Sequence, residues 1–353
     1  MTKLNIGLLY GGKSTEHEVS MRSAESILTV LDTDKYNIIL IHISKDGEWL
    51  YAAGNDKIVD LSENTAAKKL TVHPSRQLSG LPEDLKLDIV MPVLHGTFGE
   101  DGTVQGLLEL AEIPYVGCNV RSSAVCMDKD MTKRLLKLEG ISVAESVLFK
   151  HHQKDDVNFV EVEKKLGLPM FVKPVNQGSS VGVSKVTDED SFKEALALAF
   201  NYDTKVIVES ALVGREVEVS VLGNSNPFVS VPGEIIPDDG FYSYESKYTD
   251  ENGAALEIPA KVDQETIKNL QDVALKTFEI LDCEGMARVD MFLCEDGRIF
   301  VNEVNTFPGF TSISMYPKLL EASGVGYAEL VDRLINLAVE RHELEAGLTT
   351  DFS

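Results

Sequence analysis

Short apolar runs alternate with amphipathic stretches along the first third of the chain. Lys3–Tyr10 reads as a buried strand that ends at Gly11-Gly12, and Val19, Ala24, Ile27, Leu28 and Leu31 follow at helical spacing. Asn37–Ser44 and Asp88–Leu94 read as further strands, Thr103–Ala111 as a helix and Tyr115-Val116 as a short strand. This alternation predicts a parallel sheet with helices on its faces. A helix over Ser122–Leu138 opens a second unit, with strands at Pro169–Lys173 and Lys205–Glu209. From about residue 213 the pattern changes to longer strands joined by hairpin turns, with helices near 263–281 and 326–342. The polar residues after His342 are expected to fray. The chain has 353 residues, enough for three units at 1–120, 121–212 and 213–353.

Composition narrows the function classes. With 57 acidic against 33 basic residues the formal net charge is −24, a surface that repels nucleic acid and anionic lipid. The apolar runs are far too short to span a bilayer, and no charged segment followed by a long apolar stretch opens the chain. Neither a nucleic-acid nor a membrane partner is expected. Cys118, Cys126, Cys283 and Cys294 show no metal-ligand spacing and have mostly apolar neighbours, which suits reduced thiols packed in the core of a cytoplasmic protein.

Gly7 to Ser14 formally matches the phosphate-loop pattern G-x4-G-K-[ST]. Its variable positions include Leu8, Leu9 and Tyr10, which continue an apolar strand, so a flexible phosphate cradle is not expected there.

The segment from Gly285 to Asn305 carries more. Asp296-Gly297 is a two-residue hairpin signal between two apolar runs. Such a loop pairs Glu295 with Arg298 and, counting back, Asp290 with Glu303 and Arg288 with Asn305. Alternation then sets Arg288, Asp290, Glu303 and Asn305 on one face. Opposed Cβ atoms lie roughly 4.5–5.5 Å apart, so the two acids need compensation. An oxygen-rich cluster suits a hard divalent cation such as Mg²⁺; a solvated face neutralised by Arg288 is the alternative, and a bulge would alter the register.

Two further stretches could serve phosphates. Leu168–Lys173 is a strand ending in a lysine, followed by a small-residue loop over 176–182 that contains Ser179 and Ser180. Its N–H groups could fold over phosphates with Lys173 as a point charge, although many turns look similar. Glu209, at the end of the next strand, and Glu216, on an alternating strand beyond it, could receive sugar hydroxyls or an amine, or be surface acids. The polar stretch 240–253, with three tyrosines, has the character of a lid.

Taken in order, GGKSTEHEVS at 11–20, LHGTFGEDGTVQG at 94–106, MDK at 127–129, VKPVNQGSSVG at 172–182, FYSYESKY at 241–248, RVD at 288–290 and NEVNTFPGFTSIS at 302–314 resemble the ATP-grasp family, and within it the D-alanine–D-alanine ligases, essentially end to end. The resemblance implies a three-domain α/β architecture: an N-terminal parallel α/β domain, then two α+β domains that clamp ATP. It implies joining of two D-alanines for peptidoglycan synthesis, with D-lactate or D-serine as other acceptors, and a homodimer. It further implies that Lys129, Lys173, Ser180 and Lys247 hold phosphates, and that Glu209, Ser210, Leu212 and Glu216 hold adenosine. Asp290, Glu303 and Asn305 would bind two Mg²⁺ ions, for which Mn²⁺ can substitute. Glu16 would receive the first ammonium, with His95 near the carboxylate and Ser179 and Tyr248 closing the site. Ser314 would hold the second carboxylate, while Arg288 and the Gly309 N–H face the developing oxyanion. Thr15, His17 and Met315 depart from residues found in some members, and none replaces an assigned charge. A phosphate-loop ATPase and a non-catalytic nucleotide-binding protein are the rival readings. Retention of Arg288, Asp290, Glu303 and Asn305 argues against the second.

Overall fold

The structure is a computed structural model that describes residues 3–74, 77–82, 85–237, 254–311 and 313–349. Three main sheets carry the fold. In the first, Leu4–Gly11 lies between Tyr36–Ile43 and Ile89–Pro92, parallel to both. The expected parallel core is therefore present, extended on one edge by the antiparallel strands Trp49–Tyr51 and Lys68–Lys69, which the apolar pattern did not reveal. Tyr115 adds a single parallel bridge to Val90 in place of a full strand.

The second sheet is antiparallel, in the order Ser184–Val186, Met170–Pro174, Lys205–Ser210, Ser146–Lys150. Helices Phe159–Leu166 and Glu189–Ala199 cover it and give it a core of its own, including Val172, Phe192 and Val208. The third sheet runs Ala254–Glu257, Gly233–Pro237, Gly214–Gly223, Gly285–Cys294, Ile299–Asn305, packed against helix Gln264–Ile280. The C-terminal helix Tyr327–Ala346 joins a core that also holds Ile6, Leu8 and Tyr10 of the first sheet with Met286, Phe307 and Phe310. The first and third sheets thus share buried apolar side chains, and the second has a separate apolar centre.

Two helix expectations are corrected. The stretch Ser122–Leu138 is two helices, Val120–Met127 and Lys129–Leu138, broken at Asp128. Asp128 has extended backbone and caps the second helix by accepting the Met131 N–H at 3.0 Å, so a capping residue interrupts an otherwise helical pattern. The C-terminal helix continues past His342 to Ala346 because Leu334, Ile335, Ala338 and Arg341 bury its inner face. Of the cysteines, Cys118, Cys126 and Cys283 are buried as expected, while Cys294 at the hairpin end is partly exposed.

Candidate active site

The hairpin places the expected acids opposite one another, by a different route. Gly297 N–H donates to Cys294 O and Cys294 N–H to Arg298 O, both at 2.9 Å, so the loop is Glu295-Asp296-Gly297, three residues long. Gly297 has φ +82°, a left-handed position that suits glycine. The longer loop shifts the first pairs to Leu293–Ile299 and Met291–Val301. A bulge at Asn302 then restores the expected pairs Asp290–Glu303 and Arg288–Asn305. The sequence contains the signal: Val301 and Val304 are both buried although three apart, which strict alternation forbids.

Across this face Arg288 forks onto Asp290, Nε to Oδ1 at 2.7 Å and Nη2 to Oδ2 at 2.8 Å. Asn305 Nδ2 donates to Asp290 Oδ2 at 2.9 Å. Glu218, a residue the sequence reading missed, stands opposite Asp290 on the neighbouring strand, is buried, and lies 3.0 Å from Arg288 Nε. Its strand alternates legibly, but its neighbour across the sheet cannot be known before strand order is. Among the described residues no three His, Cys, Asp or Glu side chains gather into a metal cage. Mg²⁺ is usually held by one or two carboxylates together with substrate phosphates, so the two acids and one amide oxygen here fit that ion better than a closed site would.

Cations from the second sheet and from helix Lys129–Leu138 reach the same hairpin. Lys129, the first residue of its helix, lies 3.4 Å from Glu303 and donates to Gln177 O at 2.7 Å. Lys205 holds the turn before that helix through Asp128 at 2.5 Å. Lys173 lies 3.4 Å from Asn302 Oδ1 and 2.8 Å from Glu209. Glu209 also lies 3.0 Å from Lys133, a buried lysine that sequence reading missed because it falls on a helix. Burial alone pushes the Glu209 carboxyl up, but Lys133 and Lys173 more than reverse this and hold it at about 2. Glu209 is therefore a buried anion between two lysines, not a surface acid. Glu216, on Gly214–Gly223, is near enough to raise Lys173 as well. Ser210 ends one sheet and Leu212 lies in the three-residue link to the next. Ser179 and Ser180 both adopt left-handed backbone, φ +52° and +61°, in the expected loop. That conformation is strained for L side chains and often marks functional loops.

The N-terminal loop closes against these elements. Glu16 occupies the N-cap of helix His17–Leu28 but does not cap it; its buried carboxylate accepts the Ser179 hydroxyl. A Cβ on Gly96 would lie 2.5 Å from Glu16 Oε2, and one on Gly178 2.8 Å, so both positions need glycine for the acid to fit. His95 is buried, with Nδ1 3.1 Å from Phe307 O and Nε2 2.9 Å from Ser23 Oγ. A carbonyl can only accept, which fixes Nδ1 as the protonated nitrogen and Nε2 as acceptor. Burial lowers His95 to about 4, so it is neutral. Glu100, also missed by the sequence reading, accepts the Gly96 N–H at 2.6 Å and the Phe307 N–H at 3.2 Å.

Gly309 and Ser314 are adjacent, since a Cβ on Gly309 would sit 2.8 Å from Ser314 Oγ; that hydroxyl also accepts the Thr311 N–H at 2.9 Å. Lys247 and Tyr248, with the whole lid expectation at 240–253, lie outside the described residues. The phosphate-loop decoy is resolved by pairing. Gly7 sits mid-strand, opposite Ile39 on one side and Val90 on the other, so its backbone is committed to the sheet.

An antiparallel sheet whose strand lysine meets the acid-bearing hairpin of a second sheet, behind an N-terminal parallel α/β unit, is the ATP-grasp architecture. Comparison with known proteins makes this specific. The chain matches the family described as D-ala D-ala ligase N-terminus over residues 5–118 and D-ala D-ala ligase C-terminus over residues 135–336. It is 47% identical to the D-alanine–D-alanine ligase of Oceanobacillus iheyensis over 99% of both chains. It is 48% identical to that of Shouchella clausii over 99% of this chain and 98% of the relative. Among solved structures it resembles the D-alanine-D-alanine ligase from Coxiella burnetii, with TM-score 0.88, 39% identity and 98% and 97% of the two chains covered. It also resembles the VanG D-Ala:D-Ser ligase from Enterococcus faecalis, with TM-score 0.87, 41% identity and 96% and 100% covered. The chain belongs to the D-alanine–D-alanine ligase family.

Proposed function

We propose that this chain is a cytoplasmic ligase that uses ATP to join two D-alanines into D-alanyl-D-alanine for peptidoglycan precursors. The observation that carries this reading is the meeting of Lys129 and Lys173 with Glu303 and Asn302, 3.4 Å apart in each case, beside Asp290 in the fork of Arg288. Phosphoryl transfer needs mainly positioning and charge neutralisation, and that array of lysines and acids suits both. The names of the relatives supply the substrate.

A carboxylate is a poor acceptor for an amine, so it must be activated. In this reading the first D-alanine carboxylate attacks the γ-phosphorus of ATP, giving ADP and an acyl phosphate. Lys129 and Lys173 neutralise phosphate charge, and Glu209 keeps Lys173 charged and fixed. Glu209, Ser210, Leu212 and Glu216 hold the adenosine end. Asp290, Glu303 and Asn305 would hold Mg²⁺, which offsets phosphate charge when bound. Glu16 receives the first ammonium, and neutral His95 braces the loop that carries Gly309. The amine of the second D-alanine, held through Ser314, then attacks the acyl carbon. Arg288 and the Gly309 N–H stabilise the oxyanion, and phosphate leaves. An acyl phosphate hydrolyses readily, so water must be excluded; Ser179 pins Glu16, and Tyr248 and Lys247 belong to the closing segment. Two copies of the chain are proposed to form a homodimer.

The test is phosphate release from ATP with Mg²⁺ and D-alanine, with L-alanine as control and D-serine and D-lactate as competing acceptors. D-alanine-dependent release with dipeptide as the main product is expected. Release that does not depend on D-alanine would point to an ATPase, and a dominant D-alanyl-D-serine product to the other acceptor class. Tyr248→Phe should gain ester product with D-lactate at lower pH, where the competing amine is more fully protonated; an unchanged amide-to-ester ratio would remove Tyr248 from acceptor choice.

A further inference from the structure

Glu100 lies at the end of the His95 loop and joins two backbones 211 residues apart, Gly96 and Phe307. Its Oε2 takes the N–H of Gly96, while Glu16 Oε2 lies 2.5 Å from where that glycine's Cβ would be. Two carboxylates therefore converge on one glycine. We infer that Glu100 is the second acid of the first-substrate site, that it holds a proton while the site is empty, and that it gives the proton up to solvent when an ammonium group binds beside Glu16. This rests on the proposed role of Glu16.

Like charges that share a site cannot both ionise cheaply; one acid keeps a proton unless a cation arrives. Among the described residues, the charged groups that bear on Glu100 are Glu16 and Arg288. Arg288 is engaged by Asp290 and Glu218, and His95, on the same loop as Glu100, is neutral. Although part of the Glu100 side chain is exposed, its carboxyl end is enclosed by protein. Burial and then Glu16 push it up to about 8, against the pull of two backbone N–H groups and Arg288. A substrate ammonium beside Glu16 cancels the repulsion. The carboxylic acid then becomes a carboxylate, its proton passes to buffer, and the ligand stays an ammonium. Below pH 8 the affinity for the first substrate should fall by about tenfold per pH unit, because binding must expel a proton.

The experiment is calorimetric titration of D-alanine into the full chain with Mg²⁺ and a non-hydrolysable ATP analogue, at pH 7, in phosphate and in Tris. The two buffers differ in ionisation heat, so the difference counts protons. Release of about one proton per first-site D-alanine is expected. Glu100→Gln should bring the release close to zero and flatten affinity between pH 6 and 8. Binding with the same heat in both buffers, or a Gln variant that still releases the proton, overturns the inference. The wild-type comparison decides alone should the variant fail to fold. D-alanine that neither binds nor drives phosphate release from ATP would overturn the ligase reading, and this inference with it.

Discussion

Glu209 and Glu100 are the same residue type in enclosed settings, yet their carboxyls are pushed in opposite directions, to about 2 and about 8. Burial opposes charge on both. Glu209 has Lys133 at 3.0 Å and Lys173 at 2.8 Å; Glu100 has two backbone N–H groups and another acid. Two ammonium charges at contact outweigh the burial of a carboxylate, whereas two amide dipoles facing a second carboxylate do not. Glu209 lies on a strand and holds Lys133 and Lys173, the second of which is proposed to meet phosphate. Glu100 lies in a loop and, as proposed above, would respond to an entering cation. A permanent charge on a strand is thus set against a proposed conditional charge in a loop.

Their pH signatures have opposite sign. Glu209 is depressed in the fold, so its contribution to stability is present above the unfolded value near 4.5 and is lost as pH falls through about 2. Glu100 is raised, so its contribution is complete below 4.5 and is lost as pH rises through about 8. The largest expected effect comes from removing the permanent charge. Glu209→Gln leaves Lys133 and Lys173 buried without their counter-ion, and breaking a buried pair from one side costs about 3–5 kcal/mol. Denaturant unfolding at pH 7 measures it; a loss under about 1 kcal/mol would show that the lysines find other acids and that the contrast with Glu100 is overstated.

Next in size is Arg288→Lys. An ammonium cannot reproduce the fork at 2.7 and 2.8 Å on Asp290 while also meeting Glu218. Turnover should fall by roughly 10²–10³ with the fold intact. An unchanged kcat in the lysine variant would reduce Arg288 to a charge balancer. Smaller again, Glu303→Gln should raise the Mg²⁺ concentration needed for half-maximal rate by about tenfold or more, because an amide binds the cation less well. Equal Mg²⁺ curves for variant and wild type would remove Glu303 from the metal assignment.

How far the sequence foretold these regions follows from what sets each one. The hairpin face was readable because strand alternation is local, but its register came out right through two departures that cancel: a loop one residue longer and an extra residue at Asn302. The break at Asp128 was also local, an Asp followed by a run of helix formers, and was passed over because the apolar spacing continued across it. Glu100, Glu218 and Lys133 were not readable. Glu100 meets Phe307, 207 residues away, and Lys133 on its helix meets Glu209 on a strand 76 residues further along. An acid becomes a buried anion, a proton store or a surface charge only through such distant neighbours. Family resemblance carried over the residues its motifs assign, and these three were not among them.

The smallest effect tests Glu100 in the absence of substrate. Glu100→Gln replaces a carboxyl by a neutral amide of the same shape. Its single oxygen can take one of the two N–H groups of Gly96 and Phe307, and the amide NH₂ faces the other, so one hydrogen bond is lost at every pH, at a cost of about 1 kcal/mol. Wild type loses stability as pH rises from about 4.5, where the unfolded chain gives up the Glu100 proton, to about 8, where the fold does, and loses no more above that. The stability gap between the two proteins should therefore shift in the variant's favour from pH 6 to pH 9, most of the change falling below pH 8. Thermal unfolding of both proteins at the two pH values, without nucleotide or D-alanine, gives the comparison. A gap of constant size means that Glu100 is already a carboxylate at pH 6. It would then be charged much as Glu209 is, and the division of the site into permanent and conditional charge would fail at its loop side.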